Sequence, residues 1–204
     1  MPSITRRASN AARRASAEAD ILATTRRLLD DGANFTELGI QHIAAEAGVA
    51  RSTFYAHFRD KTELLVRLAT TLMDTSFGIA SAWEPTTDAD GMAAAFVAVM
   101  GVYREHAAVL LAVAEVATYD AIVRDFWRQR LAQFTERTID VLSAEQAAGR
   151  TPDGVDLVHA TRVIVPGGER AIFDHITTED ASQDEAFARE LALIWWHGVY
   201  RRPT

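Results

Sequence analysis

The chain has 204 residues, 49% hydrophobic and 24% charged, and no cysteine. That length suits one well-buried core or a small module joined to a larger one, and the missing cysteines exclude disulfides and thiolate metal sites. The net charge of −7 argues against nucleic acid until it is divided: residues 1–61 carry nine Lys/Arg against seven Asp/Glu, and residues 62–204 twelve against twenty-one. One end is therefore suited to a polyanion and the remainder is acidic.

Residues 1–16 are polar and Ser- and Arg-rich, with Arg6, Arg7, Arg13 and Arg14 all preceding the first acid, Glu18. They read as a disordered basic arm. They lack the apolar core of a secretory signal, and the most apolar run, 191–196, is too short for a bilayer. A cytoplasmic protein without membrane contact is expected. From Ala17 a helical pattern carries Ile21, Leu22, Leu28 and Leu29 and stops at Asp30-Asp31-Gly32. Residues 39–47 read as a short helix with Ile40, Ile43, Ala44 and Ala47 on one face, followed by Gly48 in a left-handed turn. Residues 51–58 form a second short helix. Asp60 and Glu63 have capping-box spacing, and the helix they open, with Leu64, Leu65, Leu68, Leu72 and Met73, is expected to reach about residue 82.

Two apolar helices follow, 91–105 and 107–117, then a long one over 120–148 with Phe126, Leu131, Phe134 and Leu142. Residues 155–176 are helical in pattern but interrupted by Pro166-Gly167-Gly168. Helix interiors lose about 3 kcal/mol at Pro and about 1 at each Gly, so a kink or a break is expected. The last helix is expected over 184–201. The reading is all-α with about nine helices, three short and six longer. It comprises the arm 1–16, a helix-turn-helix domain 17–62 and a C-terminal helical ligand-binding and dimerisation domain 63–204.

Residues 39–58 have helix-turn-helix form. Ala44 is small enough for two crossing helices to approach, Gly48 permits positive φ, and Val49 plugs the corner. Phe54 and Phe58 point inward and leave Arg51, Ser52, Thr53, Tyr55 and His57 facing out, as groove-reading side chains would. An ordinary helical hairpin with a polar face also fits the I-A-x-x-A-G-V spacing alone. The continuation T-F-Y-A-H-F-R-D-K-T-E-L-L, 53–65, separates the two. With it the chain resembles the TetR family of regulators over residues 35–65. The resemblance implies an all-α homodimer that binds double-stranded operator DNA and a small hydrophobic effector. It puts Arg51, Thr53, Tyr55 and His57 on DNA from the third helix and Lys61 on a phosphate. Gly39, Gln41 and Ser52 complete the candidate set. Gly39 and Ala50 depart from the family's Ser/Thr caps, and Ala at an N-cap costs on the order of 1 kcal/mol.

The rest of the chain is similar to the ethionamide-resistance repressor (EthR-like) subgroup, through Phe126-Trp127, Phe134, Thr138, Glu169-Arg170, Phe173, Ile194-Trp195 and Tyr200. That resemblance implies an aromatic-lined channel with Tyr103, Trp127, Leu131, Phe134, Thr138, Phe173 and Trp195 on its walls. Gly168 would replace a polar amide there, and Val99 and Arg137 stand where aromatics are expected. Met92 and Phe96 are added as candidate ligand contacts. Aromatics at helical spacing are also ordinary core, and Glu169 reads either as a ligand contact or as an ion pair with Arg170. Paired with their symmetry mates, the last two long helices would form a four-helix bundle, with Leu157, Ala160, Ile164, Leu193 and Trp196 at the interface.

An enzyme is disfavoured: H-E-x-x-H, G-x-S-x-G, the Walker loop and G-x-G-x-x-G are all missing, and no two of the six histidines are spaced i, i+4. No metal or cofactor is expected. The remaining alternatives are a dimeric helical interaction protein and a regulator without an effector pocket.

Overall fold

A computed structural model describes residues 4–85 and 88–203, with side chains from residue 14 onward. Among the described residues it is helical throughout, without strands. The helices are α1 (Ile4–Asp30), α2 (Ile40–Glu46), α3 (Arg51–His57), α4 (Lys61–Ala82), α5 (Ala89–Glu105), α6 (Ala107–Ala117), α7 (Ala121–Ala147), α8 (Leu157–Thr178) and α9 (Asp184–Trp195). No single described helix is long and apolar enough to cross a membrane.

Three expectations change. The arm is not irregular: α1 begins at Ile4 and runs 27 residues. Its early residues are mostly Ala, Arg and Ser without Gly or Pro, and such a run propagates a helix once Ile21, Leu28 and Leu29 anchor its far end. Met1 to Ser3, and the side chains of Arg6, Arg7 and Arg13, lie outside the description. Second, of the kink or break expected at Pro166-Gly167-Gly168 the break is excluded, since α8 passes through as one helix. Proline forfeits one hydrogen bond there, but the surrounding turns hold Thr161, Val165, Ile172 and Ile176 in the core. Third, the last α-helix ends at Trp195 and continues as a π-turn over Trp196–Tyr200, closed by the Arg201 amide donating to the Trp196 carbonyl at 2.6 Å.

The chain divides into two compact units, Met1–Thr70 with Ala108–Arg124, and Thr71–Ala107 with Asp125–Thr204. The first unit contains the expected helix-turn-helix region. It also takes α6 and the start of α7, where a boundary after residue 62 was expected. Sequence order misplaces that boundary because Val109, Leu110, Val113, Val116 and Val123 are core residues. Polar contacts pin the segment within its own unit: Thr36 Oγ1 donates to Glu115 at 2.7 Å, and Thr62 Oγ1 to Asp120 at 2.9 Å. Asp120 in turn caps α7 by accepting from the Ile122 amide.

In the second unit α5 packs along α9 and α8. Its core joins Met92, Leu142, Val155, Ala192, Trp196, Val199 and Tyr200. Arg104 of α5 grips Asp184 at the start of α9 with two donors, Nε at 2.8 Å and Nη2 at 2.6 Å. His175 of α8 meets the same carboxylate at 2.9 Å and stacks on Phe187. Of the candidate interface residues, Trp196 is buried in this core and Leu157, Ala160 and Ile164 pack against it, while Leu193 is half-buried. The exposed large apolar residues of α8 and α9 are Val158, Val163 and Ile194. Spacing of i, i+3, i+7 marks a buried face wherever a helix meets its own core, so the outward residues lie a step round from it.

Candidate functional site

In the first unit, Ile43 and Ala44 of α2 are buried. Gly48 has φ +66°, a conformation that L-residues with a Cβ avoid. The Val49 amide returns to the Ala44 carbonyl at 2.9 Å and closes the turn. Phe54 and Phe58 are wholly buried, their ring centroids 5.5 Å apart, and together they form the floor under α3. Neither Gly39 nor Ala50 caps its helix through a side chain.

Above that floor Gln41, Arg51, Ser52 and Tyr55 are exposed and Thr53 is half-buried. Arg51 lies over the Tyr55 ring at 5.6 Å. His57 departs from the expected outward face. Its side chain is only 7% exposed, with Nδ1 3.7 Å from the Glu18 carboxylate of α1. As the last residue of α3 it sits where the chain turns back toward α1. Lys61 is also tethered: Nζ donates to the carbonyls of Phe35 at 2.9 Å and Thr36 at 2.8 Å, and it lies 5.2 Å from the centre of the Phe35 ring. Partial burial lowers its pKa, against the pull of Glu115. An ammonium has three donors, so one remains.

The second unit holds a cavity of about 120 Å³. Nine of the eleven candidate ligand contacts line it. α5 contributes Met92, Phe96, Val99 and Tyr103, and α7 contributes Leu131, Phe134 and Thr138; Gly168 comes from α8 and Trp195 from α9. A Cβ at Gly168 would stand 2.7 Å from the Trp195 ring. Glycine at this position therefore lets the indole lie on the helix backbone where a larger residue would displace it.

Trp127 and Phe173 do not line the cavity. Trp127 is on the lining face of α7 but one turn before Leu131, about 6 Å along the axis, beyond the cavity's end. Phe173 lies roughly a quarter-turn round α8 from Val165, Gly168, Glu169 and Ile172, with Arg170 over its ring instead. Among the wall residues not expected are Met73 and Ser81 of α4, Trp83, Val141 and Tyr200, while Arg137 lines the wall where the resemblance put an aromatic. Continuing the spacing 134, 138 to 141, and of 168 to 165 and 172, is the signal that would have found Val141, Val165 and Ile172.

Polar groups on the walls are few. Thr138 donates to the Phe134 carbonyl of its own helix. Arg137 Nη2 reaches the Ser81 carbonyl at 3.4 Å, and Ser81 Oγ has no hydrogen-bond partner among the described residues. Glu169 does not form the expected pair with Arg170, which bridges Asp174 at 2.8 Å. Burial pushes the Glu169 carboxyl up to about 7, with Arg170 opposing and Asp174 reinforcing. Burial also raises the Tyr103 hydroxyl, helped by the charge of Glu169.

Residues 21–68 match the family model described as bacterial regulatory proteins, tetR family. Residues 92–201 match that of the transcriptional regulator EthR, C-terminal domain. The HTH-type transcriptional regulator EthR of Mycolicibacterium smegmatis is 25% identical over 187 residues, covering 90% of this chain and 86% of that protein. Its namesake in Mycobacterium tuberculosis H37Rv is 25% identical over 188 residues, covering 90% and 87%. Among solved structures, Salmonella enterica GusR superposes with TM-score 0.73 at 15% identity, covering 88% of this chain and 93% of that one. A transcriptional regulator from Saccharomonospora viridis in complex with choline superposes with TM-score 0.71 at 20% identity, covering 92% and 100%.

Proposed function

The chain belongs to the TetR family of bacterial regulatory proteins and carries an EthR-type C-terminal domain, and from that premise we propose a homodimeric repressor whose hold on operator DNA is released when a small apolar or amphipathic effector fills the cavity. It is a transcriptional regulator rather than an enzyme. The observation that carries the proposal is an aromatic-walled cavity, with few polar groups, inside the segment matched to the EthR C-terminal domain. Sites of that composition take small ligands.

On this reading α3 enters the major groove. Arg51, Ser52, Thr53 and Tyr55 meet base edges and phosphates, with Gly39 and Gln41 at the start of α2 beside the backbone. Lys61 holds the α1–α2 loop by two carbonyls and offers its third proton to a phosphate. His57 braces α3 against α1 instead of touching a base. Val158, Val163 and Ile194 supply apolar surface for a second copy. Dimerisation sets two recognition helices about 34–36 Å apart. An effector releases DNA only through different affinities for two states of the protein. α4 and α7 each begin in the unit that holds α3 and continue into the unit that holds the cavity, which makes them continuous helical routes for that coupling, beside the chain crossing at Ala107–Ala108.

Fluorescence anisotropy with DNA from upstream of the gene tests the reading. A steep fall in affinity with salt is expected from phosphate contacts, together with release by apolar compounds that raise the melting temperature. DNA binding that no compound from a broad apolar set weakens would leave a regulator without an effector.

A further inference from the structure

Among the described residues Glu169 is the one acidic side chain on the cavity wall, and it has neither an ion pair nor a hydrogen bond with any of them. The cation beside it in sequence, Arg170, is turned to Asp174. Among the described residues no other wall group neutralises it: Tyr103 on α5 bears a neutral hydroxyl, α9 presents the neutral Trp195 indole, and the Arg137 guanidinium on α7 leans on the Ser81 carbonyl. Phe96 and Trp195 meet edge to face at 5.1 Å on the same wall. An unpaired carboxylate among apolar groups is held at a cost, and a cation that enters removes that cost. Aromatic faces add their own attraction for a cation, strongest for one that is weakly hydrated.

We propose that Glu169, with Tyr103, Phe96 and Trp195 beside it, is the anchor for a cationic headgroup, so that the effector is an amphipathic amine or quaternary ammonium compound whose chain fills the apolar remainder of the cavity. This rests on the cavity being the effector site. Gly168 contributes by letting the indole lie against α8 one residue from the carboxylate. At neutral pH the carboxyl is poised between its two forms, so a permanently cationic ligand selects the ionised form and its binding strengthens as pH rises.

Three probes of one chain length separate the possibilities: octyltrimethylammonium, octanol and octanoate, titrated into the full chain by tryptophan fluorescence one pH unit below and one above about 7. The cation is expected to bind about tenfold more tightly than octanol at the higher pH. Most of that margin disappears at the lower pH, where about nine-tenths of the carboxyl is protonated. Glu169→Gln should abolish the margin, with a far-UV circular dichroism spectrum and a cooperative thermal transition like the parent's showing that the variant is folded. Equal binding of cation and octanol, or a margin that survives Glu169→Gln, overturns the proposal and leaves the cavity reading intact. Octanoate binding tightest, and weakening in Arg137→Met, overturns it in favour of an anion site. If none of the three binds, octanol included, the effector reading of the cavity falls as well.

Discussion

The two sites handle polar groups in opposite ways. On α3, Arg51, Ser52 and Tyr55 stand in solvent over a floor of buried phenylalanine. Their polar atoms are open to water at little cost. On the cavity wall, Ser81 Oγ is buried without a partner among the described residues and Glu169 is half-buried and partly desolvated, and such groups weigh on the free state. The helix-turn-helix face therefore depends on the stiffness of what lies beneath it, whereas the cavity depends on what enters.

The sharpest test of that contrast is Phe54→Ala. Removing a fully buried ring is expected to cost about 3–5 kcal/mol and to abolish operator binding, read by denaturant unfolding and by anisotropy. Retained DNA affinity would show that the floor is dispensable. Next is Asp184→Asn, which takes the bidentate partner from Arg104. About 2–3 kcal/mol of unfolding free energy should be lost, without any direct contact to either site. Arg104, and then His175, hold the Asp184 carboxyl below the ordinary aspartate range. Its contribution is therefore full above that range and fades as pH falls through the depressed value. Melting temperatures of the two proteins should converge in acid, and a gap independent of pH would contradict this.

Tyr55→Ala should lower operator affinity by about 1–3 kcal/mol with little change in melting temperature, since the ring is 46% exposed. His57→Ala should do the reverse, reducing stability while base preference holds. Were the two patterns exchanged, the inward placement of His57 would be wrong. The smallest effects belong to Trp127→Ala and Phe173→Ala. Affinity for octanol should stay within about twofold of the parent, as for substitutions remote from a site, whereas Trp195→Ala should weaken it clearly. Loss of binding in Trp127→Ala would extend the cavity a turn further along α7.

The helix-turn-helix was legible because its constraints are local. Ala44, Gly48, Val49, Phe54 and Phe58 fall within fifteen residues, and each answers to a crossing, a turn or a floor that the spacing itself demands. His57 was not legible, because its partner Glu18 lies in another helix and nothing within α3 distinguishes it from Tyr55. Much of the cavity was legible only through the likeness to the EthR-like subgroup, which implied Tyr103, Leu131, Phe134, Thr138 and Trp195 on its walls. Where it failed, it failed in two geometric ways: by distance along the axis at Trp127 and by rotation about it at Phe173.

By itself, then, the sequence determined the helices, their turns and the family pattern of the recognition helix, because propensity, capping and short-range spacing act within a few residues. Tertiary structure decided what each amphipathic side chain faces. It kept α8 whole through Pro166, laid Trp195 on Gly168, turned Arg170 to Asp174 and left Glu169 without a partner. Those outcomes depend on which helix lies opposite, and burial and pairing are properties of neighbours that sequence order does not specify.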